Sequence, residues 1–214
     1  MAVIRPLNGE VSLEEAGGGL PWVHWLLGSV RARCEHLSFD AQVNDVPAVR
    51  AAWREFVKHT FHPVLGSHLM QAWLAVCSAS VGELQRVDEK MSAFLDAETG
   101  ARSLAAGAVL LKNTRRARYQ GALGHYRTAV ERDGGGAHFV TVWAAVGHFF
   151  QLSLANVMAE YLRLEWETGT RHLTAIHEPQ GRHSFAAIVR DQLSTGGFEP
   201  TIIQRAPRPL LRAV

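Results

Sequence analysis

The feature that most constrains the fold is the segment FVTVWAAVGHFFQL, residues 139–152, which is apolar around nearly its whole circumference when read as a helix. A helix of this kind needs apolar cover on every side, so the segment predicts a central buried helix. Residues 154–168 follow with a second strongly apolar pattern and complete the predicted core. FVTVW alone also suits a strand, but its alanine-rich surroundings favour a helix.

Apolar residues recur at helical spacing in most of the remaining chain. Seven further helices are predicted, at 21–37, 46–61, 65–80, 83–97, 98–113, 119–130 and 183–193. Asp45 is the predicted N-cap of the second of these, and Pro63 is expected to end or kink it. We therefore expect an all-α, single-domain bundle of about nine helices.

The predicted domain organisation has three parts. Residues 1–20 form a flexible N-terminal segment, 21–196 the helical domain, and 197–214 a tail with three prolines and three arginines. Glu10 and Glu14 interrupt the N-terminus where a secretory signal would be apolar, and no apolar run is long enough to span a bilayer. We expect a cytoplasmic protein with no membrane partner.

Composition excludes several classes of function. Lysine and arginine number 22 against 20 acidic residues, so the net charge of +2 gives no general indication of a nucleic-acid partner. The cysteines, Cys34 and Cys77, form no CxxC motif, which argues against disulfides and a thiolate metal site. A reducing compartment fits best.

Eleven histidines raise the question of a metal site. Metal ligation within a helical bundle favours HExxH or ExxH, because residues three or four apart share a helix face, and neither motif occurs. The nearest groupings are His59 with His62, and His172 with His177 and His183. Structural or surface roles are the favoured interpretation, with no metal or cofactor expected.

No catalytic motif is found. The chain lacks a G-x-S-x-G elbow, a phosphate-binding loop and a dinucleotide fingerprint, so it is not predicted to be an enzyme. A basic cluster lies next to Tyr119 and consists of Lys112, Arg115, Arg116 and Arg118. A solvated helix face is the more common explanation of such a cluster, and contact with nucleic acid or an acidic protein surface is the alternative.

The segment ETGARSLAAGAVLLKN, residues 98–113, places Ser103 and Gly107 within a helix-forming run. Glycine in a helix interior costs roughly 1 kcal/mol relative to alanine. Four residues apart, Ser103 and Gly107 share a face with Ala106 beside them. The spacing predicts that a neighbouring helix packs closely against this face and offsets the cost of the glycine.

The same segment resembles a known family. Glu98, Ser103, Gly107 and Leu110-Leu111 follow the pattern E-x-x-x-x-S-x-x-x-G-x-x-L-L found in the middle of the urease accessory protein UreF. Further points of resemblance are Asp88 one helix upstream, His138-Phe139 before an apolar helix, Tyr161-Leu162, and Pro179 with Gly181 near a turn.

The resemblance implies a non-catalytic, all-α homodimer that bridges the urease-bound accessory protein UreD (also called UreH) and the GTPase UreG during nickel delivery to apo-urease. GTP would be held by the partner. The framework residues it indicates are Glu98, Ser103, Gly107, His138 and Tyr161. The candidate partner contacts are His177, Gly181, Arg182 and His183, and the tail arginines Arg205, Arg208 and Arg212.

The sequence is also compatible with two other classes of function. A ligand-sensing module would line an apolar pocket with Trp143, Phe149, Phe150 and Trp166, although aromatic residues at such spacing are more often core. A helical enzyme of the haem-oxygenase or thiaminase type would use His24 or His138 as ligand or base. Saturable binding of an apolar probe, or haem absorbance, would distinguish them.

Overall fold

The computed structural model describes residues 11–14, 21–115, 121–134, 136–173, 176–198 and 200–203. Its α-helices are α1 (Pro21–Leu26), α2 (Gly28–Arg33), α3 (Val46–Phe56), α4 (Ser67–Cys77), α5 (Val81–Phe94), α6 (Ala97–Arg115), α7 (Gly121–Asp133), α8 (Phe139–Phe149), α9 (Leu154–Gly169) and α10 (Phe185–Thr195). A π-helix, Val57–Gly66, joins α3 to α4, and a 3₁₀-helix spans Gly181–His183. The all-α prediction is confirmed.

Two short strands accompany the bundle. Strand β1 (Val11–Glu14) pairs in parallel with β2 (Pro200–Ile203), which the sequence did not predict. Most of the predicted N-terminal segment 1–20 and of the tail 197–214 lies outside the described residues. Within the described part of the chain, no helix has both the length and the apolar character needed to cross a membrane.

The predicted central helix is confirmed in α8. Every residue from Phe139 to Gly147 is buried, and the helix packs against α4, α6, α7 and α9. It ends at Phe149, shorter than the predicted 139–152, because the chain turns through Gln151 at a φ of 58°. Helices α4, α5, α6, α7 and α9 therefore surround α8, as its apolar circumference requires.

Helix α9 is the second buried helix, and several of its polar residues are buried as well. Glu160, Arg163 and Glu165 are each less than a tenth exposed. Burial of charged groups is tolerated only where they are paired or hydrogen-bonded, and Arg163 forms ion pairs with Glu160 and Glu178. This helix therefore combines core packing with a buried polar network.

The prediction for Pro63 was wrong in part, since helical structure continues through it. Residues 46–77 run without a break through α3, the π-helix and α4. Proline lacks the N–H of the i→i−4 bond and its ring clashes with the carbonyl one turn earlier. The wider π-helical turn is the local structure that accommodates it. The predicted single helix 21–37 is likewise corrected: it divides at Leu27 and ends at Arg33.

Candidate functional site

Three of the framework candidates, Ser103, Gly107 and His138, meet where the chain enters α8. This α8 junction consists of Asp88 on α5, Ser103 and Gly107 on α6, and Ala137 and His138 before α8. All five residues lie in segments that pack together, since α8 contacts both α5 and α6. The two hydrogen bonds that hold the junction together join residues 50 and 36 positions apart in sequence.

Ser103 fixes the first turn of α8. It is buried, and its Oγ accepts a hydrogen bond from the N–H of Phe139 at 3.2 Å. The first N–H groups of a helix have no acceptor within the helix itself. Ser103 therefore supplies from α6 the acceptor that a local capping residue would otherwise provide.

Gly107 permits the close approach of the same segment. A Cβ atom at this position would lie 1.9 Å from the carbonyl oxygen of Ala137. No side chain fits at that distance, so the predicted close approach at Gly107 is confirmed, but the prediction that the neighbour is a helix was wrong. The neighbour is the extended segment before α8 rather than the flank of a helix.

Asp88 holds the other side of the junction. Its Oδ1 accepts the backbone N–H of His138 at 2.9 Å, and its carboxylate also interacts with Thr141 in the first turn of α8. A carboxylate at a helix N-terminus is favoured by the helix dipole. Asp88 and Ser103 together satisfy two successive N–H groups at the start of α8.

The His138 side chain is buried and does not cap the helix whose N-cap position it occupies. Its Nε2 lies 2.8 Å from the Oγ of Ser92 on α5. Nδ1 is also buried and has no hydrogen-bond partner among the described residues. His138 is therefore a packed residue of the α8 junction, as the structural interpretation expected.

Burial controls ionisation at the junction. It raises the pKa of Asp88 from 3.8 to about 6, against the opposing effect of hydrogen bonds from Thr141 and His138. Burial lowers the pKa of His138, and the nearby His68 lowers it further. Near pH 7, Asp88 is therefore largely charged and His138 neutral.

Tyr161 lies in a different buried cluster, which attaches a loop to α9. Its hydroxyl donates to Oε1 of Glu165 at 2.6 Å, and Oε2 of Glu165 accepts the N–H groups of Ser38 and Phe39, both at 2.9 Å. Glu165 is fully buried, and burial raises its pKa. Sequence analysis missed Glu165. A polar residue four positions after Tyr161 in an apolar helix was the available signal.

Glu98 stands apart from both clusters. It is exposed at the start of α6 and pairs with Arg102. The Arg102 side chain also donates to the carbonyl of Leu37 at 2.9 Å. Glu98 therefore orients an arginine that ties α6 to the loop after α2, and it does not reach the α8 junction.

The candidate partner contacts within the described chain lie around the 3₁₀-helix. We name His177, Gly181, Arg182 and His183 the Gly181 turn. His177 and Arg182 are exposed, and Gly181 has a φ of +63°, a conformation that favours glycine. The carbonyl of His183 accepts the indole N–H of Trp53 at 3.4 Å. Arg205, Arg208 and Arg212 lie outside the described residues.

The groups invoked by the alternative functions occupy ordinary structural positions. Trp143 is fully buried and donates to the carbonyl of Val157 at 2.8 Å, and Trp166 packs on Trp53 with ring centroids 5.2 Å apart. Phe149 is 38% exposed and stacks edge-on with Phe150. His24 is exposed on α1. These aromatic residues belong to the core and its edge.

The histidine groupings do not assemble a metal site. His59 pairs with Glu55 at 3.2 Å, and His62 Nδ1 lies 2.7 Å from Oε1 of Gln192. Among the described residues, no group of three or more histidine, cysteine or acidic side chains is placed to hold a metal ion.

The family model of UreF matches residues 43–167, which is more than half of the chain. The chain belongs to the UreF family. The match runs from the loop before α3 almost to the end of α9, so it includes the α8 junction and Tyr161. No curated protein and no solved structure gives a significant match.

UreF family members are non-catalytic urease accessory proteins, and this chain accordingly has a role in urease maturation without being an enzyme. The family match ends before the Gly181 turn. It also leaves out α1 and α2.

Proposed function

We propose that the chain is a cytoplasmic, homodimeric maturation chaperone that bridges UreD (UreH) and the GTPase UreG while nickel is inserted into apo-urease. The match of the UreF family across α3 to α9 carries this proposal. In it the chain contributes surfaces and their relative positions, and the partner contributes nucleotide chemistry.

The α8 junction supports this role as a rigid framework. Ser103 and Asp88 fix the start of the central helix, and Gly107 allows it to sit against α6. Because protein interiors are close-packed, surfaces built on such a core keep a fixed arrangement. Two partners bound to this framework would therefore be held at a defined separation.

The proposed contact residues are the Gly181 turn and the tail arginines. The turn presents Arg182 and His177 at the surface, and arginine is among the residues enriched at binding hot spots. The tail carries Arg205, Arg208 and Arg212 with three prolines and no acidic residue after Glu199.

Reconstituted urease activation tests the proposal. Apo-urease is incubated with nickel, GTP, UreD (UreH) and UreG, with and without this chain, and urease activity is measured. We expect activation to depend on the chain. Equal activation in its absence would remove the bridging role.

Contact sites are tested in the same assay. We expect Arg182→Ala, and separately deletion of residues 204–214, which keeps strand β2, to reduce both complex formation and activation. Arg86→Ala is the matched control, since Arg86 is an exposed arginine on α5 that pairs with Glu83 at 2.7 Å. Loss of activity in the control as well would mean that the effect is not specific to these surfaces.

A further inference from the structure

The N-terminal helices carry an exposed aromatic residue outside the family match. Trp25 on α1 is 82% exposed, whereas Trp53, Trp143 and Trp166 are buried. An isolated exposed apolar residue is ordinary, but tryptophan is the residue type most enriched at protein-binding hot spots. The surroundings of Trp25 decide whether it forms part of a surface.

Trp25 lies on a helical face with Ser29 and Arg33. The i→i+4 hydrogen bonds continue across the break between α1 and α2, from Leu27 N–H to Val23 and from Arg31 N–H to Leu27, both at 2.9 Å. Residues four apart therefore share a face through both helices. Arg33 is exposed at one end of this face and Trp25 at the other.

The end of α6 lies directly against this face. Asn113 donates a side-chain hydrogen bond to the hydroxyl of Ser29. Lys112, next to Asn113, is exposed, and α6 ends at Arg115. The basic cluster that the sequence singled out therefore begins beside the Trp25 face. We name Trp25, Ser29, Arg33, Lys112 and Asn113 the Trp25–Lys112 surface.

Both segments that form this surface lack acidic residues. Residues 21–34 contain two arginines and no aspartate or glutamate, and residues 103–126 contain four lysines and arginines and no acidic residue. On either side of that second segment, Arg102 and Arg127 are paired with Glu98 and Glu131. Glu167 reaches this side from α9 but is paired with Arg31 at 2.6 Å, and Glu35 follows α2. The surface thus combines an apolar anchor with a local excess of positive charge in a chain whose net charge is only +2.

We propose that the Trp25–Lys112 surface is a docking site for an acidic protein surface with an apolar pocket that receives the Trp25 side chain. A protein fits better than nucleic acid because the chain as a whole has little net charge to attract a polyanion, and because one projecting indole suits a pocket. The identity of the partner rests on the proposed function: it is one of UreD (UreH), UreG or apo-urease.

Direct binding measurements test the docking site. The full chain is titrated with each of the three purified partners, using wild type, Trp25→Ala and the double variant Arg33→Glu/Lys112→Glu. For one partner we expect Trp25→Ala to weaken binding about tenfold or more. We expect the double variant to weaken the same partner's binding and to reduce its salt dependence.

Matched controls separate this surface from general effects. Leu74→Ala removes another exposed apolar side chain, 39% exposed on α4, and Arg86→Glu with Lys90→Glu reverses two exposed charges on α5. Both controls should bind as wild type does. Because Trp25, Arg33 and Lys112 are exposed, their variants should also keep the wild-type unfolding midpoint.

Each outcome of these binding measurements supports or overturns the docking site. Unchanged binding by both surface variants, with wild-type binding intact, overturns the docking site and leaves the proposed function standing. Absence of wild-type binding to all three partners overturns both. Binding of a 20-base-pair DNA or RNA duplex in 150 mM salt that is lost in the double variant, with partner binding unaffected, also overturns it in favour of nucleic acid.

Discussion

The α8 junction and the Gly181 turn are both candidate sites, and they differ in how their polar groups are satisfied. At the junction, the side chains of Asp88 and Ser103 are turned inward onto backbone N–H groups of α8. At the turn, Arg182 is exposed, and its Nε donates to Nε2 of the neighbouring His183 at 3.2 Å. The junction side chains therefore bond within the fold, whereas the guanidinium of Arg182 lies at the surface.

From this difference we predict two kinds of mutational effect. Changes at the junction should act through the free energy of unfolding, and changes at the turn through binding. The predictions below test that separation, from the largest expected effect to the smallest.

Gly107→Ala should produce the largest loss of stability. Its Cβ would meet the Ala137 carbonyl oxygen at 1.9 Å, so backbone must move, and we expect a loss of about 3 kcal/mol in the free energy of unfolding. Urea denaturation measures it. Gly82→Ala on α5 is the control, because nothing lies within 4 Å of its Cβ; it should be neutral or stabilise by up to ~1 kcal/mol. Equal effects of the two substitutions would contradict the close approach.

Asp88→Asn should change the pH dependence of stability. Burial raises the pKa of Asp88 from 3.8 to about 6, so its contribution is fully present below the ordinary pKa and lost as pH rises through about 6. Relative to the variant, the wild-type free energy of unfolding should fall by about 2–3 kcal/mol between about pH 4 and pH 7.

The Asp88 comparison has an internal control. The lowered pKa of His138 acts in the opposite direction, giving stability above its ordinary pKa of 6.5 that is lost as pH falls, and it is present in both proteins. Its effect therefore cancels in the difference. Parallel stability curves for wild type and Asp88→Asn would show that Asp88 does not titrate as its burial requires.

Ser103→Ala should also lower the free energy of unfolding, but by less than Gly107→Ala. Removing the acceptor leaves the N–H of Phe139 buried and unpaired, which costs roughly 1 kcal/mol. Ser194→Ala, at an exposed position in α10, controls for the helix propensity gained on replacing serine. A Ser103 variant as stable as the Ser194 variant would argue against a capping role.

Arg182→Ala should have the smallest effect on stability and a measurable effect on binding. Its side chain is exposed, so we expect a change within about 0.5 kcal/mol in the free energy of unfolding. Complex formation with the urease accessory partners should nevertheless weaken. Unfolding at lower urea concentration with unchanged binding would reverse the distinction between the turn and the junction.

Local sequence patterns predicted the parts of this fold that depend on local physics. The apolar circumference of residues 139–152 predicted the buried α8, and the spacing of Ser103 and Gly107 predicted a close approach at α6. Both follow from which residues share a helix face. Asp45, the predicted N-cap, accepts the N–H of Ala48 as expected.

The features that sequence did not predict depend on distant contacts. Nothing near Ser103 in sequence indicates that its hydroxyl oxygen accepts the N–H of Phe139. Likewise, nothing near Glu165 indicates that its carboxylate accepts the loop N–H groups of Ser38 and Phe39. The buried carboxylate of Glu165 depends on these two N–H groups, which lie more than a hundred residues away in sequence. The π-helix around Pro63 also depends on packing, since proline alone would more simply end a helix.

The order of the α8 junction along the chain has a consequence for how the protein is made. Asp88 and Ser103 precede the N–H groups they accept by 50 and 36 residues, so both acceptors leave the ribosome before the central helix does. Helices α5 and α6 can thus form first from local contacts, and α8 is received by a docking surface already synthesised. Synthesis from the N-terminus therefore completes the two acceptors of the α8 junction before the N–H groups that they bind.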